Sequence, residues 1–292
     1  MSRRFALVAL VLSSVVACSD GAESGEEATA SSSDELVTCG WLAGGDCANV
    51  PAGNWRSPEF WGDFYLAKYA AQRKKFNEQI EPGPAPLAKP RTVVLVTGVT
   101  IRAEWFDGIA ARLRRDGFKT VVYEPPGLLS GDLFKASKEL GAFVERVQRD
   151  SGDATVDILA ECTGGLISRH YVQSLGGDKH VSRIVTFVSP QHGIGVVPIA
   201  ARIVGWRALY DLSPGSPFLR AVNGAPMAAN VAFTSIYTCD DEYIRPYRTA
   251  YVPGATNVEI CGGEFVGHFR TMYDPKVYMM MHDALVKDAP AR

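Results

Sequence analysis

Strands that alternate with helices along most of the chain predict an α/β domain, with a mostly parallel sheet covered by helices on both faces. Two further observations agree with that class. The 292 residues are enough for one large domain with a well-buried core, and apolar and charged fractions of 47% and 21% are those of a globular protein. The stretch Val156-Asp157-Ile158-Leu159-Ala160-Glu161-Cys162-Thr163-Gly164-Gly165 reads as a strand that enters a sharp turn and then a helix. Small residues, Ala160 and Gly164, flank Cys162 two positions away on either side, as a strained turn packed between strand and helix requires.

The elements follow in order. Residues 36–90 form an aromatic-rich leading segment. In it, Phe60, Phe64, Ala67 and Ala71 recur at helical spacing and predict a helix over 58–77 against the core. The proline-rich run 81–86 ends that helix as a stiff connector. Residues 92–97 are a continuous apolar strand of the buried parallel type. Residues 103–117 read as helix, 119–123 as strand, and 131–150 as an amphipathic helix with Leu133, Leu140, Phe143, Val144 and Val147 near one face. Strand 155–160, the turn and a helix over 164–175 come next. Strands over 182–188, 231–237 and near 257–261, then a helix over 275–287, complete the alternation. Residues 193–230 interrupt it with an apolar stretch that includes Val197, Ile199, Ile203 and Trp206, and then Ser213-Pro214-Gly215-Ser216-Pro217. This segment reads as an insertion across the top of the sheet, a lid or acyl-binding wall; a pair of core helices is the other reading.

The first residues stand apart from the fold. Arg3 and Arg4 precede an apolar run over 5–16, too short to span a bilayer, so residues 1–17 read as a signal peptide. Val15-Val16-Ala17-Cys18 resembles the lipobox of bacterial lipoproteins. That resemblance implies cleavage before Cys18 and a diacylglycerol on its sulfur. An ordinary secretory signal and a weakly matching twin-arginine signal are the alternatives. Residues 18–35 are rich in Ser, Gly, Ala and acidic groups and read as a flexible tether, which leaves 36–292 as the folded domain. The expected location is the bacterial cell envelope, lipid-anchored on the periplasmic face or the cell surface, or outside the cell. Membrane contact is expected through the anchor alone. A net charge of −2 favours neither nucleic acid nor an anionic membrane surface.

Export places the six cysteines in an oxidising compartment. Cys18 goes to lipid and Cys162 to the sharp turn. Local proximity pairs the remainder as Cys39–Cys47 and Cys239–Cys261. A disulfide at Cys162 is the alternative.

Several segments, in order, carry a family likeness. They are Leu95-Val96-Thr97-Gly98, Glu124-Pro125-Pro126-Gly127, Ala160 to Gly165, Thr186-Phe187-Val188-Ser189-Pro190-Gln191-His192-Gly193 and Ser213 to Leu219. Last come Tyr237-Thr238-Cys239-Asp240-Asp241-Glu242 and Val266-Gly267-His268-Phe269. Through them the chain, from about residue 93 to residue 285, resembles bacterial secreted lipases and esterases of the α/β-hydrolase fold, including the group of fungal lipase B. The resemblance implies that fold and an ester or lipid substrate. It makes the turn after residue 160 the nucleophile elbow. The chain departs from the family at the centre of the site. Cys162 stands where the nucleophilic serine is expected, Glu161 where His, Trp or Tyr often precedes it, and Thr97 where the oxyanion strand commonly carries histidine.

The fold's triad order is nucleophile, acid, histidine. After Cys162, Asp241 follows a late strand in the family's Asp-Glu context and is the expected acid, with Asp240 as its rival. Of the five histidines, His268 alone follows a late strand, sits beside a glycine and comes after the acid, so it is the expected general base. His170 and His282 fall on helices, His180 in a surface turn, and His192 in a turn that suggests structural hydrogen bonding. The oxyanion hole is expected from the amides of Thr163 and Val99, with the Thr100 hydroxyl as a possible addition. A helix N-terminus and a cationic histidine both lower a thiol pKa, which would let Cys162 rest as a thiolate. Glu161 would either oppose that charge or point away and hold the loop. Cysteine hydrolases similar to dienelactone hydrolase and acyltransferases similar to polyhydroxyalkanoate synthase use such a triad, but neither resembles this chain outside the elbow.

Three functions fit these residues. One is hydrolysis of carboxylic esters or thioesters through an acyl-cysteine. The second is transfer of the acyl group to an acceptor other than water. The third is a catalytically weak lipase relative that binds lipid or a protein partner. No cofactor motif and no metal-ligand spacing is evident in the sequence, and nothing in it bears on oligomeric state.

Overall fold

The computed structural model describes residues 53–290. The segments read as signal peptide and tether, Cys18, and the expected Cys39–Cys47 pair lie outside the described residues. Two short helices come first, α1 (Pro58–Lys68) and α2 (Ala70–Glu78). Ser57 caps α1 by accepting from the Phe60 amide, and Pro58 follows at a position where a missing N–H is harmless. The single helix expected over 58–77 is broken at Tyr69, where φ is −107° and ψ 17°. The break lets α1 bury Phe60, Trp61, Phe64 and Tyr65 while α2, which buries Phe76 alone, runs along the surface.

Among the described residues, six strands form one sheet: β1 (Thr92–Val96), β2 (Lys119–Tyr123), β3 (Val156–Glu161), β4 (Val181–Phe187), β5 (Ala232–Thr238) and β6 (Thr256–Ile260). Their spatial order is β2-β1-β3-β4-β5-β6, and every pairing is parallel. The central strands β1 and β3 are buried along their whole lengths, β1 as an almost wholly apolar run and β3 with Asp157 and Glu161 among its apolar residues. The edge strands β2 and β6 are partly exposed. Between strands lie α3 (Asp107–Arg115), preceded by a 3₁₀ turn at Ala103–Phe106 where one helix was expected, α4 (Leu133–Ser151) and α5 (Thr163–Ser174). Asp132 caps α4 at its start and Gly152 closes it in the left-handed conformation.

The segment 193–230 folds as α6 (Val197–Val204), α7 (Arg207–Asp211) and α8 (Pro217–Gly224), and α9 (Pro275–Val286) closes the chain. None of the described helices is long and apolar enough to cross a membrane.

The two ends of the sheet differ in chemistry. At the amino end, buried Asp157 on β3 is bridged by Arg183 of β4 at 3.1 Å and by Arg91 at 3.2 Å. The same arginines donate to the carbonyls of Leu285 and Lys287, tying down the end of α9. At the carboxyl end, chain order reverses across β1, which lies between β2 and β3. In open α/β sheets that crevice is where ligands bind.

Candidate active site

The turn after β3 is strained. Cys162 has φ 47° and ψ −123°, a region that costs a non-glycine residue about 1–3 kcal/mol and persists only where its surroundings fix it. They do so here through several bonds. The Cys162 amide donates to the Phe187 carbonyl at 3.0 Å, and its own carbonyl accepts from the Ser189 hydroxyl at 2.6 Å and the Gly165 amide at 3.0 Å. Helix α5 starts directly afterwards and lies so close to β1 that a Cβ at Gly164 would come within 2.7 Å of the Thr97 carbonyl oxygen. The sulfur is thereby presented at the end of the sheet, at the head of α5, partly open to a cavity.

Two loops bring its partners. After β5, Asp241 is buried and accepts the amides of Tyr243 and Ile244 on one oxygen, at 2.8 and 2.7 Å. Its other oxygen takes the Nδ1 proton of His268 at 2.8 Å. Asp240, the rival acid, accepts from the Val266 amide instead, and Glu242 accepts from the His268 amide at 2.6 Å. The three acidic residues thus divide the work, and of them Asp241 faces the ring while its neighbours hold the loop that carries His268. The ring is enclosed by Tyr243 and Phe269, with centroids at 5.3 and 5.7 Å.

Glu161, whose role the sequence left open, does not point away: it opposes charge on the thiol and also holds a loop. Its side chain is buried and turns into the site, where Oε1 lies 3.2 Å from His268 Nε2. Its other oxygen accepts the Gly98 amide at 2.9 Å, holding the loop after β1. That approach depends on glycine, because a Cβ at Gly98 would fall on the Glu161 carboxylate. One signal in the sequence pointed here: an acidic residue ending a strand that the sheet buries completely.

These contacts set the protonation of the site. Burial alone would lower His268, but Asp241, together with contacts to Cys162 and Glu161, holds it well above the ordinary histidine range. Burial raises Glu161, opposed by His268 and the Gly98 amide. Burial also raises Cys162, and the Glu161 charge adds to it, while His268 and the Thr163 hydroxyl, 3.7 Å from the sulfur, pull the other way. The low thiol pKa expected from the helix N-terminus and histidine is therefore not what this site produces. Low solvent access and the neighbouring carboxylate prevail.

Val99 and Thr163 both line the cavity. Thr163 is the first residue of α5, so its amide has no carbonyl within its own helix to bond. Thr100 lines the same cavity. Its hydroxyl donates to the Val99 carbonyl at 2.7 Å and its amide to Leu128 at 3.0 Å. The cavity, about 150 Å³, has Cys162, Glu161 and His268 on its floor. Its walls are apolar, from α1 (Trp61, Tyr65) and from α6 and its neighbours (Ile194, Val197, Leu209, Leu212).

The remaining candidates lie elsewhere. His170 packs between Phe134 and Phe218, His192 contacts the Tyr251 carbonyl at 3.1 Å, and His282 sits on α9 beside Asp283. His180, expected at the surface, is half-buried against Gln148. Cys239 and Cys261 are free thiols in this structure, and so is Cys162. The first two lie side by side, and their hydrogen bond pushes Cys261 up to about 11.

Comparison with known proteins places this geometry. A sequence model of the palmitoyl protein thioesterase family matches residues 128–246, a span that contains Cys162 and Asp241 and stops before His268. Among solved structures, the chain is similar to Aspergillus fumigatus lipase B at 18% identity and a TM-score of 0.59, over 71% of this chain and 56% of that one. It is similar to the Bacillus licheniformis lipase BlEst2 in propeptide form at 17% identity and a TM-score of 0.58, over 73% and 54%. Against the mature form of that lipase the values are 16% and 0.56, over 71% and 96%. The chain therefore spans little more than half the length of the first two proteins. By its all-parallel strand order, the strained turn after β3 and these likenesses, the chain has the α/β-hydrolase fold.

Proposed function

We propose that the protein hydrolyses acyl esters or thioesters through a covalent intermediate on Cys162. The observation that carries this reading is the convergence of a strained Cys162 and an Asp241-anchored His268 at the floor of an apolar cavity. His268 Nε2 takes the Cys162 thiol proton as the sulfur attacks the acyl carbonyl carbon, forming a C–S bond. The negative oxygen that develops is held by the amides of Thr163 and Val99, donors worth about 3–4 kcal/mol each toward such a transition state. The bond to the leaving oxygen or sulfur then breaks, and the leaving group takes the proton from His268 Nε2. Water, deprotonated by the same nitrogen, attacks the acyl-cysteine and returns the sulfur. Asp241 keeps the imidazole in the required tautomer and stabilises its charged form.

The walls favour a hydrocarbon acyl group, since they offer no charged side chain beyond the reacting residues. A family match named for palmitoyl protein thioesterases supports a fatty acyl thioester among the substrates. Residues 193–230 act in this reading as the acyl-binding wall.

A second reading, a weakly catalytic relative that retains lipid, is favoured by one observation. Glu161 Oε1 lies 3.2 Å from His268 Nε2 and competes with the thiol for that nitrogen. Turnover of p-nitrophenyl esters and acyl thioesters of graded chain length separates the two. The hydrolase reading requires turnover that iodoacetamide abolishes in parallel with modification of Cys162, and that Cys162→Ala removes. Turnover unchanged in Cys162→Ala would overturn it, and absence of turnover on every substrate would leave lipid binding as the better reading.

A further inference from the structure

The floor of the cavity brings together an oxygen, a sulfur and a nitrogen donor. The carboxylate of Glu161, the Cys162 sulfur and a His268 ring nitrogen all lie within 4.8 Å of one another. We propose that Glu161 Oε1, Cys162 Sγ and His268 Nε2 bind a single Zn²⁺ ion, with the fourth coordination position facing the cavity.

The spacing fits. Two ligand atoms about 2.0 Å from a tetrahedral zinc stand roughly 3.3 Å apart, and His268 Nε2 and Glu161 Oε1 are 3.2 Å apart. Both ligands are already oriented by bonds made on the atom the metal would not use. His268 Nδ1 donates to Asp241 Oδ2 at 2.8 Å, the carboxylate–histidine arrangement that fixes a metal-binding imidazole. Glu161 Oε2 accepts the Gly98 amide at 2.9 Å. The mixed donor set suits a borderline-soft ion such as zinc and disfavours magnesium or calcium, which take oxygen ligands. The charge also fits. Glu161 and Asp241 are both buried against one imidazole, and a divalent cation offsets carboxylate charge that water cannot reach. The sequence hid this trio because two ligands are adjacent and the third lies 107 positions later, a spacing set by the fold.

Zinc ligation deprotonates both Cys162 Sγ and His268 Nε2 and releases those protons to solvent, so binding tightens as pH rises. The ion and an acyl group both need the same sulfur and exclude each other. Zn²⁺ is then a reversible occupant that silences the thiol. The inference uses the residues of the proposed hydrolytic site but does not depend on that activity.

The test uses the full chain, stripped of metal with a chelator, and Co²⁺ as a spectroscopic probe, with Zn²⁺ titrated calorimetrically. One ion is expected per chain, with a sulfur-to-cobalt charge-transfer band. Cys162→Ser should abolish that band. Glu161→Gln should weaken Zn²⁺ binding by at least about 10-fold and Asp241→Asn by about 10–100-fold. A Cys239→Ser, Cys261→Ser double variant should keep the band. Absence of a sulfur–cobalt band in the unmodified chain, its survival in Cys162→Ser, its loss in the double variant, or unchanged Zn²⁺ affinity in Glu161→Gln would each overturn the proposal. Ester turnover by the metal-free protein is measured separately, so a failure of the hydrolase reading stays distinct from a failure of the metal site.

Discussion

Glu161 governs the reactivity of its neighbour. A buried carboxylate beside Cys162 disfavours the thiolate and holds His268 Nε2 at 3.2 Å. The thiol pKa is raised, so the reactive thiolate forms at higher pH than in an ordinary free cysteine, whose pKa is about 8.5. In chelator, the rate of Cys162 alkylation should therefore still be climbing above that pH. Glu161→Gln removes the charge and should move the alkylation and turnover profiles to lower pH. Superimposable profiles for the two proteins would show that Glu161 does not set the thiol. Asp241 acts on the other ring nitrogen. Asp241→Asn turns an acceptor into a donor opposite Nδ1–H and forces the wrong tautomer. A loss in turnover of about 10⁴-fold is expected, the scale seen when a triad carboxylate becomes an amide. A loss under tenfold would place the acid elsewhere, with Asp240 the first to examine.

At the scale of elements, the junction of β3 and α5 carries the site, and its tolerance is small. A Cβ at position 164 meets backbone oxygens of Val96 and Thr97 at 2.8 and 2.7 Å, atoms that cannot swing aside. Gly164→Ala should thus destabilise by about 1–3 kcal/mol in urea unfolding and depress turnover by displacing the sulfur. Unchanged stability would mean that α5 can move away from β1. This junction was legible in the sequence because the apolar residues of β3 mark a buried strand and because Ala160 and Gly164 announce a tight turn. Asp241 and His268 were legible for a similar reason, each following a late strand in the required order. Other features were not. The break at Tyr69 carries no proline or glycine and follows from burying the aromatic face of α1. The direction of the Glu161 side chain depends on Gly98 and on His268, which only the folded sheet brings near. The thiol was misjudged because the motifs announce a helix start and a histidine, whereas burial is a property of the whole cavity.

For the whole molecule, we propose that residues 1–17 direct export and that the mature chain starts at a lipidated Cys18, which holds the catalytic domain at the envelope by a tether. Replacement of Cys18 by Ser should shift the protein from the detergent phase to the aqueous phase without lowering turnover per molecule, as read by detergent partition. Unaltered partition would refute the anchor. We also propose that Cys239 and Cys261, adjacent in the structure, join under oxidising conditions and clasp the Asp241 loop to the strand before His268; non-reducing peptide mapping should recover them as one linked pair.

The proposed hydrolysis rests on acyl transfer to one sulfur. Intact-protein mass spectrometry during exposure of the metal-free protein to a slowly turned-over acyl thioester tests it most directly. The expected spectrum shows a single added acyl mass that maps to Cys162, decays as free acid appears, and is absent from Cys162→Ala. Steady release of free acid with no adduct on Cys162, and at the same rate from Cys162→Ala, would contradict it.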